Sequence, residues 1–344
     1  MRRSSEGFPR CEGRLNGCFV GNELRSLFIM NDIQEERLPR IGLALGSGGA
    51  RGSAHTGVLK VLEAEGIPIS VVAGSSIGSL IGATMAAGIP LEQVEREWLA
   101  TGAARVFRSF LPTFPRAGFS SGNELVKYLA QLLGDVRIED LPMPYAAVAC
   151  DMDTGESVVL REGSVVAAVR ASTAIPGIFH PLRLNDRLLV DGGLVDPVPI
   201  QVCRDLGADF VIAVDITPKP VQTTVKGRHV WNRIGDHLKD ELAQPSWIPG
   251  SLTELLESAF HEKPELDRPL PGLYSILNQS ISILLQEVLR QKLILSPPDV
   301  LIQPKLSFSM MGYQHAKSGI EEGIRAAEAV LPELRMKLAE KSAG

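Results

Sequence analysis

A serine with a glycine two positions away on each side lies between an apolar run and a stretch with a helical pattern. Residues 74–78 read Gly-Ser-Ser-Ile-Gly, with Ser76 at the centre. The run at 69–73 predicts a strand, and the residues after Ser76 predict a helix to about residue 87. In such a turn small residues such as Gly74 and Gly78 hold the serine hydroxyl clear of the sheet, and the following helix start favours negative charge. The spacing predicts that Ser76 is a nucleophile; a plain glycine turn packed on the sheet is the alternative.

A second glycine-rich turn, Gly-Ser-Gly-Gly-Ala-Arg-Gly, occupies residues 46–52. A dinucleotide site would need G-x-G-x-x-G and an acidic residue about twenty positions on. Arg51 stands at the third glycine position, residues 66–91 contain no acidic residue, and the Gly-Lys-Ser/Thr ending of a phosphate-binding loop is missing. What remains is a row of backbone N–H groups at a helix start, which suits an oxyanion hole. Arg51 either contacts substrate or ties the loop to a neighbouring carbonyl.

The residue best placed to take a proton from Ser76 is an aspartate. Asp191 follows the apolar run at 188–190 and precedes Gly192 and Gly193. A partly desolvated carboxylate has a raised pKa and can act as a general base. A structural Asp-Gly-Gly turn is the alternative. The chain has six histidines: His55, His180, His229, His237, His261 and His315. None of them has the loop position after a strand that a triad base needs, and we expect structural roles for His55 and His180.

Alternating strands and helices must position these residues. Apolar runs at 41–45, 69–73 and 209–216 predict buried strands, and helical patterns follow the first two. Residues 144–160 predict two strands joined by a turn at 153–155. This alternation over residues 39–217 predicts an α/β fold with a mostly parallel sheet.

The chain divides into four predicted parts. Residues 1–38 are a polar N-terminal extension of uncertain order, and residues 39–217 are the catalytic core. Residues 218–272 mix prolines, charges and single aromatics without a period, which predicts a surface excursion or lid. Residues 273–344 read as a helical region with a last strand at 299–304, packed on the core.

Composition narrows the class of protein. A net charge of −5 over 344 residues gives no basic footprint for nucleic acid. Four cysteines without metal-ligand spacing (Cys11, Cys18, Cys150 and Cys203) indicate reduced thiols, and the N-terminus has no apolar signal region, so we expect a cytoplasmic protein. Residues 66–91 carry no charge, but their glycines and prolines favour a strand, a turn and a helix over one membrane span.

Together these motifs resemble the patatin-like phospholipase family. The resemblance covers about residues 39–217 and is carried by GLALGSGGARG, VAGSSIGSL, ASTAIPGIF and LVDGGLVDPVPI. It implies a three-layer α/β sandwich and a Ser–Asp dyad that requires no metal or organic cofactor. On the resemblance Ser76 is the nucleophile and Asp191 the base. The oxyanion hole comes from the backbone of Gly48, Gly49 and Ala50, with Arg51 nearby.

The chain departs from the family pattern at two positions. Ser47 stands where the family often has glycine, and the N–H donors of the loop are kept. Asp196 stands where asparagine is frequent, which bears on the positioning of the turn after Asp191.

The function expected from this pattern is hydrolysis of fatty-acyl esters of phospholipids or lysophospholipids through an acyl-enzyme on Ser76. Transfer of the acyl group to another acceptor, and a non-catalytic regulator that keeps the fold, are the alternatives. The expected partner is a lipid substrate. Peripheral contact at the inner membrane face would use the 217–290 region, where the apolar side chains of LYSILNQSISILL either face lipid or cover the sheet.

Overall fold

An eight-stranded sheet organises the part of the chain that the structure describes, which is residues 39–100, 120–219 and 273–343 of a computed structural model. In sheet order the strands run β5-β6-β3-β2-β1-β7-β8, and β4 pairs with β3. Their bounds are β1 Ile41–Leu45, β2 Ile69–Ser75, β3 Tyr145–Asp151, β4 Ser157–Leu160, β5 Leu182–Leu184, β6 Arg187–Asp191, β7 Phe210–Val214 and β8 Val300–Ile302.

Helices connect and cover the strands. Their bounds are α1 Ser53–Ala64, α2 Ile77–Ala86, α3 Leu91–Ala100, α4 Asn123–Leu133, α5 Val165–Ser172, α6 Ile200–Asp205, α7 Leu273–Leu295 and α8 Ala316–Ala343. A short 3₁₀ turn at Gly49–Gly52 leads directly into α1, and another at Gly192–Leu194 follows β6.

Both faces of the sheet are apolar and buried, because successive side chains of a strand point to opposite faces. In β1, Leu43 and Leu45 pack with α1, α2 and α8, whereas Ala44 packs on the other side with α6 and α7. The same alternation recurs in β2, β3 and β7. The predicted three-layer α/β sandwich is therefore confirmed.

The five strands β3-β2-β1-β7-β8 are parallel, whereas β6 runs antiparallel to β3. Ser75, the last residue of β2, pairs with Val148 of β3, and Asp191, the last residue of β6, pairs with the next β3 residue, Ala149. The ends of β2 and β6 therefore meet at one level of the sheet, on either side of β3.

Helices α1 and α8 touch through their backbones. A side chain on Gly57 of α1 would overlap the carbonyl of Ile320, and one on Gly323 of α8 would overlap the carbonyl of Ala54. Glycine allows this approach because it has no Cβ. The contact joins the start of the core to the C-terminal helix.

Several smaller predictions can be compared with the described residues. The uncharged stretch at 66–91 folds as β2, a turn and α2, and none of the described helices is long and apolar enough to span a membrane. Cys150 and Cys203 are buried free thiols. Strand β5 was not predicted. The extension at 1–38 and nearly all of the 218–272 excursion lie outside the described residues.

Candidate active site

Ser76 stands at a strained turn between β2 and α2. Its backbone angles are φ 53° and ψ −123°, a region that residues other than glycine rarely occupy. Two close approaches maintain it: a Cβ on Gly74 would overlap the backbone of Gly78, and one on Gly78 would overlap the carbonyl of Leu45. The turn thus has the geometry of a nucleophile elbow.

Neighbouring serines hold the elbow. The backbone N–H of Ser76 donates to Ser172 Oγ at 2.9 Å, and that hydroxyl donates to the carbonyl of Val148 at 2.5 Å. Ser79 Oγ donates to the carbonyl of Ser76 at 2.6 Å. Sequence reasoning missed Ser172, although it lies in the stretch ASTAIPGIF, because its partners are set by the pairing of the strands.

Asp191 is the hydrogen-bond acceptor of the Ser76 hydroxyl. Ser76 Oγ lies 2.6 Å from Asp191 Oδ2, and Asp191 Oδ1 accepts the Gly193 N–H at 2.8 Å. Both side chains are nearly buried. Burial raises the pKa of Asp191 to about 6, although the bonds from Ser76 and Gly193 act in the opposite direction. A close packing explains Gly192, where a Cβ would overlap the carbonyl of Val148.

The glycine loop leaves two backbone donors available. The N–H of Ala50 donates to the carbonyl of Met310 at 2.7 Å, and that of Arg51 donates to the carbonyl of Gly48 at 3.2 Å. In the described part of the chain, the N–H groups of Gly48 and Gly49 have no acceptor. Of the four residues predicted for an oxyanion hole, Gly48 and Gly49 therefore remain as donors.

Arg51 has a structural environment. It is 5% exposed, and its guanidinium Nη2 donates to the carbonyl of Leu306 at 3.4 Å. Burial lowers its pKa to about 10, while the nearby charge of Asp215 acts to raise it. Of the two interpretations left open by the sequence, this geometry favours a tie between the loop and the C-terminal segment.

The first two histidines have structural surroundings. His55 is fully buried, its Nε2 lies 2.8 Å from the carbonyl of Gly46, and burial lowers its pKa to about 4. His180 binds through its backbone, donating to Ser120 and accepting from Arg170. The described residues include no group of three or more histidine, cysteine or acidic side chains that could hold a metal ion.

A cavity of about 500 Å³ opens beside Ser76. Its inner wall is apolar, whereas its outer part carries polar side chains of α4. The described residues around it are Gly49, Ser76, Ile77, Leu80, Ile81, Thr84, Val94, Glu97, Trp98, Glu124, Leu125, Lys127, Tyr128, Gln131, Leu132, Thr173, Ile175, Phe179 and Tyr313. Because Gly49 and Ser76 line the same space, a ligand in the cavity can reach both the hydroxyl and the glycine loop.

Known proteins resemble about half of this chain. An uncharacterized NTE family protein of Mycobacterium tuberculosis is 41% identical over 178 residues, covering 52% of this chain and 49% of that protein. The mouse patatin-like phospholipase domain-containing protein 6 is 38% identical over 182 residues, covering 51% of this chain and 13% of its own length. The Drosophila melanogaster neuropathy target esterase sws is 38% identical over 181 residues, with the same two coverages. This chain therefore matches about half of the mycobacterial relative and a small part of the two larger ones.

The region matched by a family model coincides with the site described above. The model, described as Patatin-like phospholipase, matches residues 43–204, which include the glycine loop, the Ser76 elbow and the Asp191 turn. The resemblance predicted from the sequence motifs is thereby confirmed over residues 43–204, the part of the chain that matches the patatin-like phospholipase family model.

Proposed function

We propose that this protein is a serine esterase that hydrolyses fatty-acyl ester bonds of phospholipids or lysophospholipids. The observation that carries the proposal is the hydrogen bond of 2.6 Å from Ser76 Oγ to the buried carboxylate of Asp191, at the end of a largely apolar cavity. The family match and the names of the relatives, a phospholipase domain protein and an esterase, support the substrate class.

In the proposed reaction Asp191 Oδ2 takes the proton of the Ser76 hydroxyl as Oγ attacks the ester carbonyl. The Gly193 N–H holds Asp191 in the orientation that this transfer needs. The N–H groups of Gly48 and Gly49 and the N-terminus of α2 stabilise the negative charge on the tetrahedral intermediate. Asp191 then gives the proton to the departing alcohol, which leaves an acyl-enzyme.

Water completes the cycle. Asp191 takes a proton from a water molecule that attacks the acyl-enzyme, and Ser76 recovers its proton as the fatty acid leaves. An alcohol acceptor in place of water would make the enzyme an acyltransferase, so the same residues serve that alternative.

Peripheral contact with a lipid surface is part of the proposal. Helix α7 buries Leu285, and its Leu289 packs against apolar side chains of the sheet, while Ile276, Ile283 and Leu284 are 45%, 50% and 65% exposed. The helix therefore covers the sheet with one side and presents apolar area with another.

The test compares wild type with Ser76→Ala and Asp191→Asn on a short-chain p-nitrophenyl ester and on a lysophospholipid. We expect each variant to lose at least about a thousandfold in kcat/KM while it stays folded, because each removes a reacting group. Ser157→Ala and Asp153→Asn, which change exposed residues of the same types, are the matched controls.

A wild-type rate in Ser76→Ala would overturn the proposal. If wild type hydrolyses neither substrate, a fluorophosphonate probe separates the remaining cases. Labelling of Ser76 that Asp191→Asn abolishes supports a competent dyad with another acyl substrate or acceptor, and absence of labelling supports the non-catalytic alternative.

A further inference from the structure

One face of α2 forms a wall that leads away from the nucleophile. Ile77, Leu80, Ile81 and Thr84 have the spacing of one helix face and all line the cavity that begins at Ser76. With a rise of about 1.5 Å per residue, the helix covers about 12 Å between Ser76 and Thr84. An extended carbon chain advances about 1.2 Å per bond, so this length matches an acyl chain of about ten carbons.

A second cavity, of about 350 Å³, lies beyond the first. Its walls are mostly apolar, including Leu59, Leu62 and Met143 from outside α2. Thr84 and Val94 line both cavities, and they are the two described residues that do so. The second cavity continues past the end of α2 to Gly88, which adds up to about 6 Å, or about five carbons.

The two shared side chains lie at the boundary of both cavities. Thr84 and Val94 are only 1% and 5% exposed, so both side chains are packed among neighbouring residues. The hydroxyl of Thr84 donates to the carbonyl of Ile81 at 2.8 Å, so the wall offers no unpaired donor to a hydrocarbon chain. Shortening either of these two side chains would therefore be enough to join the two cavities into one longer apolar space.

We propose that Thr84 and Val94 set the acyl-chain preference of the enzyme by closing the first cavity at about ten carbons. This inference rests on the proposed esterase function, and it adds the length of the acyl group and the residues that limit it. An acyl chain attached to Ser76 runs along α2 and ends at the wall. Chains of about fifteen carbons fit only when the second cavity joins the first.

The test measures kcat/KM for p-nitrophenyl esters of 4 to 16 carbons. Wild type should peak at 8–10 carbons, with at least a fivefold lower value at 16. Val94→Ala and Thr84→Ala should each raise the 16-to-8 ratio by at least fivefold. Leu99→Ala, on the same helix as Val94 but 53% exposed, is the matched control and should leave the ratio unchanged. Adding Met143→Trp to Val94→Ala refills the second cavity and should cancel the gain.

A wild-type optimum at 16 carbons, or an unchanged ratio in both alanine variants, overturns this inference and leaves the esterase function intact. Loss of all hydrolysis and labelling in wild type overturns the function instead. Calorimetry can measure the affinity of Ser76→Ala for fatty acids of 8 and 16 carbons, and this tests the role of Thr84 and Val94 without catalysis. The longer acid should gain at least fivefold in affinity when Val94→Ala is added, and equal affinities before and after that change contradict the wall.

Discussion

The hydroxyl of Ser172 lies 2.9 Å from the backbone nitrogen of Ser76 and thereby ties the strained elbow to the central strand β3. Ser172 ends α5, so one hydroxyl links a helix, a strand and the turn that carries Ser76. Backbone angles in a sparsely populated region persist only when surrounding contacts hold them. This hydrogen bond is such a contact.

Ser172→Ala should lower both stability and activity. It leaves the buried N–H of Ser76 and the carbonyl of Val148 without their partner, which costs about 1–3 kcal/mol of unfolding free energy. We expect kcat to fall at least tenfold, because Oγ of Ser76 moves relative to Asp191. Urea unfolding and ester hydrolysis measure the two effects. Thr154→Ala, which removes an exposed hydroxyl that accepts one backbone N–H, is the control; equal behaviour of the two variants would contradict the role given to Ser172.

The rate should depend on pH through Asp191. Burial raises its pKa to about 6, and only its deprotonated form can accept the proton of Ser76. We expect kcat/KM for a soluble ester to rise tenfold per pH unit below about pH 5 and to level off above about pH 7. No histidine takes part in the proposed transfer. A profile that is flat between pH 5 and 7 would contradict the assignment of Asp191 as base.

Asp191→Asn should stabilise the fold at high pH. A carboxyl whose pKa in the folded state lies above its unfolded value stabilises the fold at low pH, and this contribution is lost as the pH rises through the folded value. The penalty of the charged carboxylate is therefore full at pH 8 and absent near pH 4. A shift from the ordinary value to about 6 corresponds to on the order of 3 kcal/mol as an upper bound. The side-chain amide of the variant keeps an acceptor for the Gly193 N–H and carries no charge.

Urea unfolding at pH 5 and pH 8 measures this difference. The advantage of the variant should be larger at pH 8. Asp196, whose pKa burial also raises to about 6, is present in both proteins, so its contribution cancels. An advantage that grows toward low pH would show that the sign is wrong.

Gly49→Ala tests the glycine loop. Gly49 has φ +59°, and a Cβ there would lie 2.5 Å from the carbonyl oxygen of Met310. The loop must shift, so the donors at Gly48 and Gly49 leave the oxyanion, and we expect kcat to fall about a hundredfold or more. Gly155→Ala is the matched control, since Gly155 has φ +74° with open space around it. It should cost about 1 kcal/mol of stability without lowering kcat.

Local patterns in the sequence were sufficient to predict most of the fold around the site. The strand at 41–45 has the predicted bounds, and the strands predicted at 69–73, 144–160 and 209–216 all form, whereas β5 was not predicted. Leu182–Leu184 is too short for an apolar period to show, and it forms because β6 pairs with it. The residues chosen as dyad, Ser76 and Asp191, meet in space because their strands flank β3.

Contacts between distant parts of the chain could not be predicted in the same way. The sequence presents the N–H groups of the glycine loop as equivalent, but Met310 occupies the N–H of Ala50, and Leu306 accepts from the side chain of Arg51. These partners lie about 260 residues further on. No spacing or periodicity near residues 46–52 indicates which donors they use.

The same two contacts, with the backbone approach of α1 and α8, show that the candidate site depends on residues outside the region matched by the family model. The family model matches residues 43–204, yet Leu306 and Met310 contact the glycine loop, and α8 packs on α1 directly after that loop. A fragment cut to residues 43–204 would retain Ser76 and Asp191 but lose the contacts of Leu306 and Met310 that hold the glycine loop. The part of the chain that supports the candidate site is thus larger than the part that the family model matches.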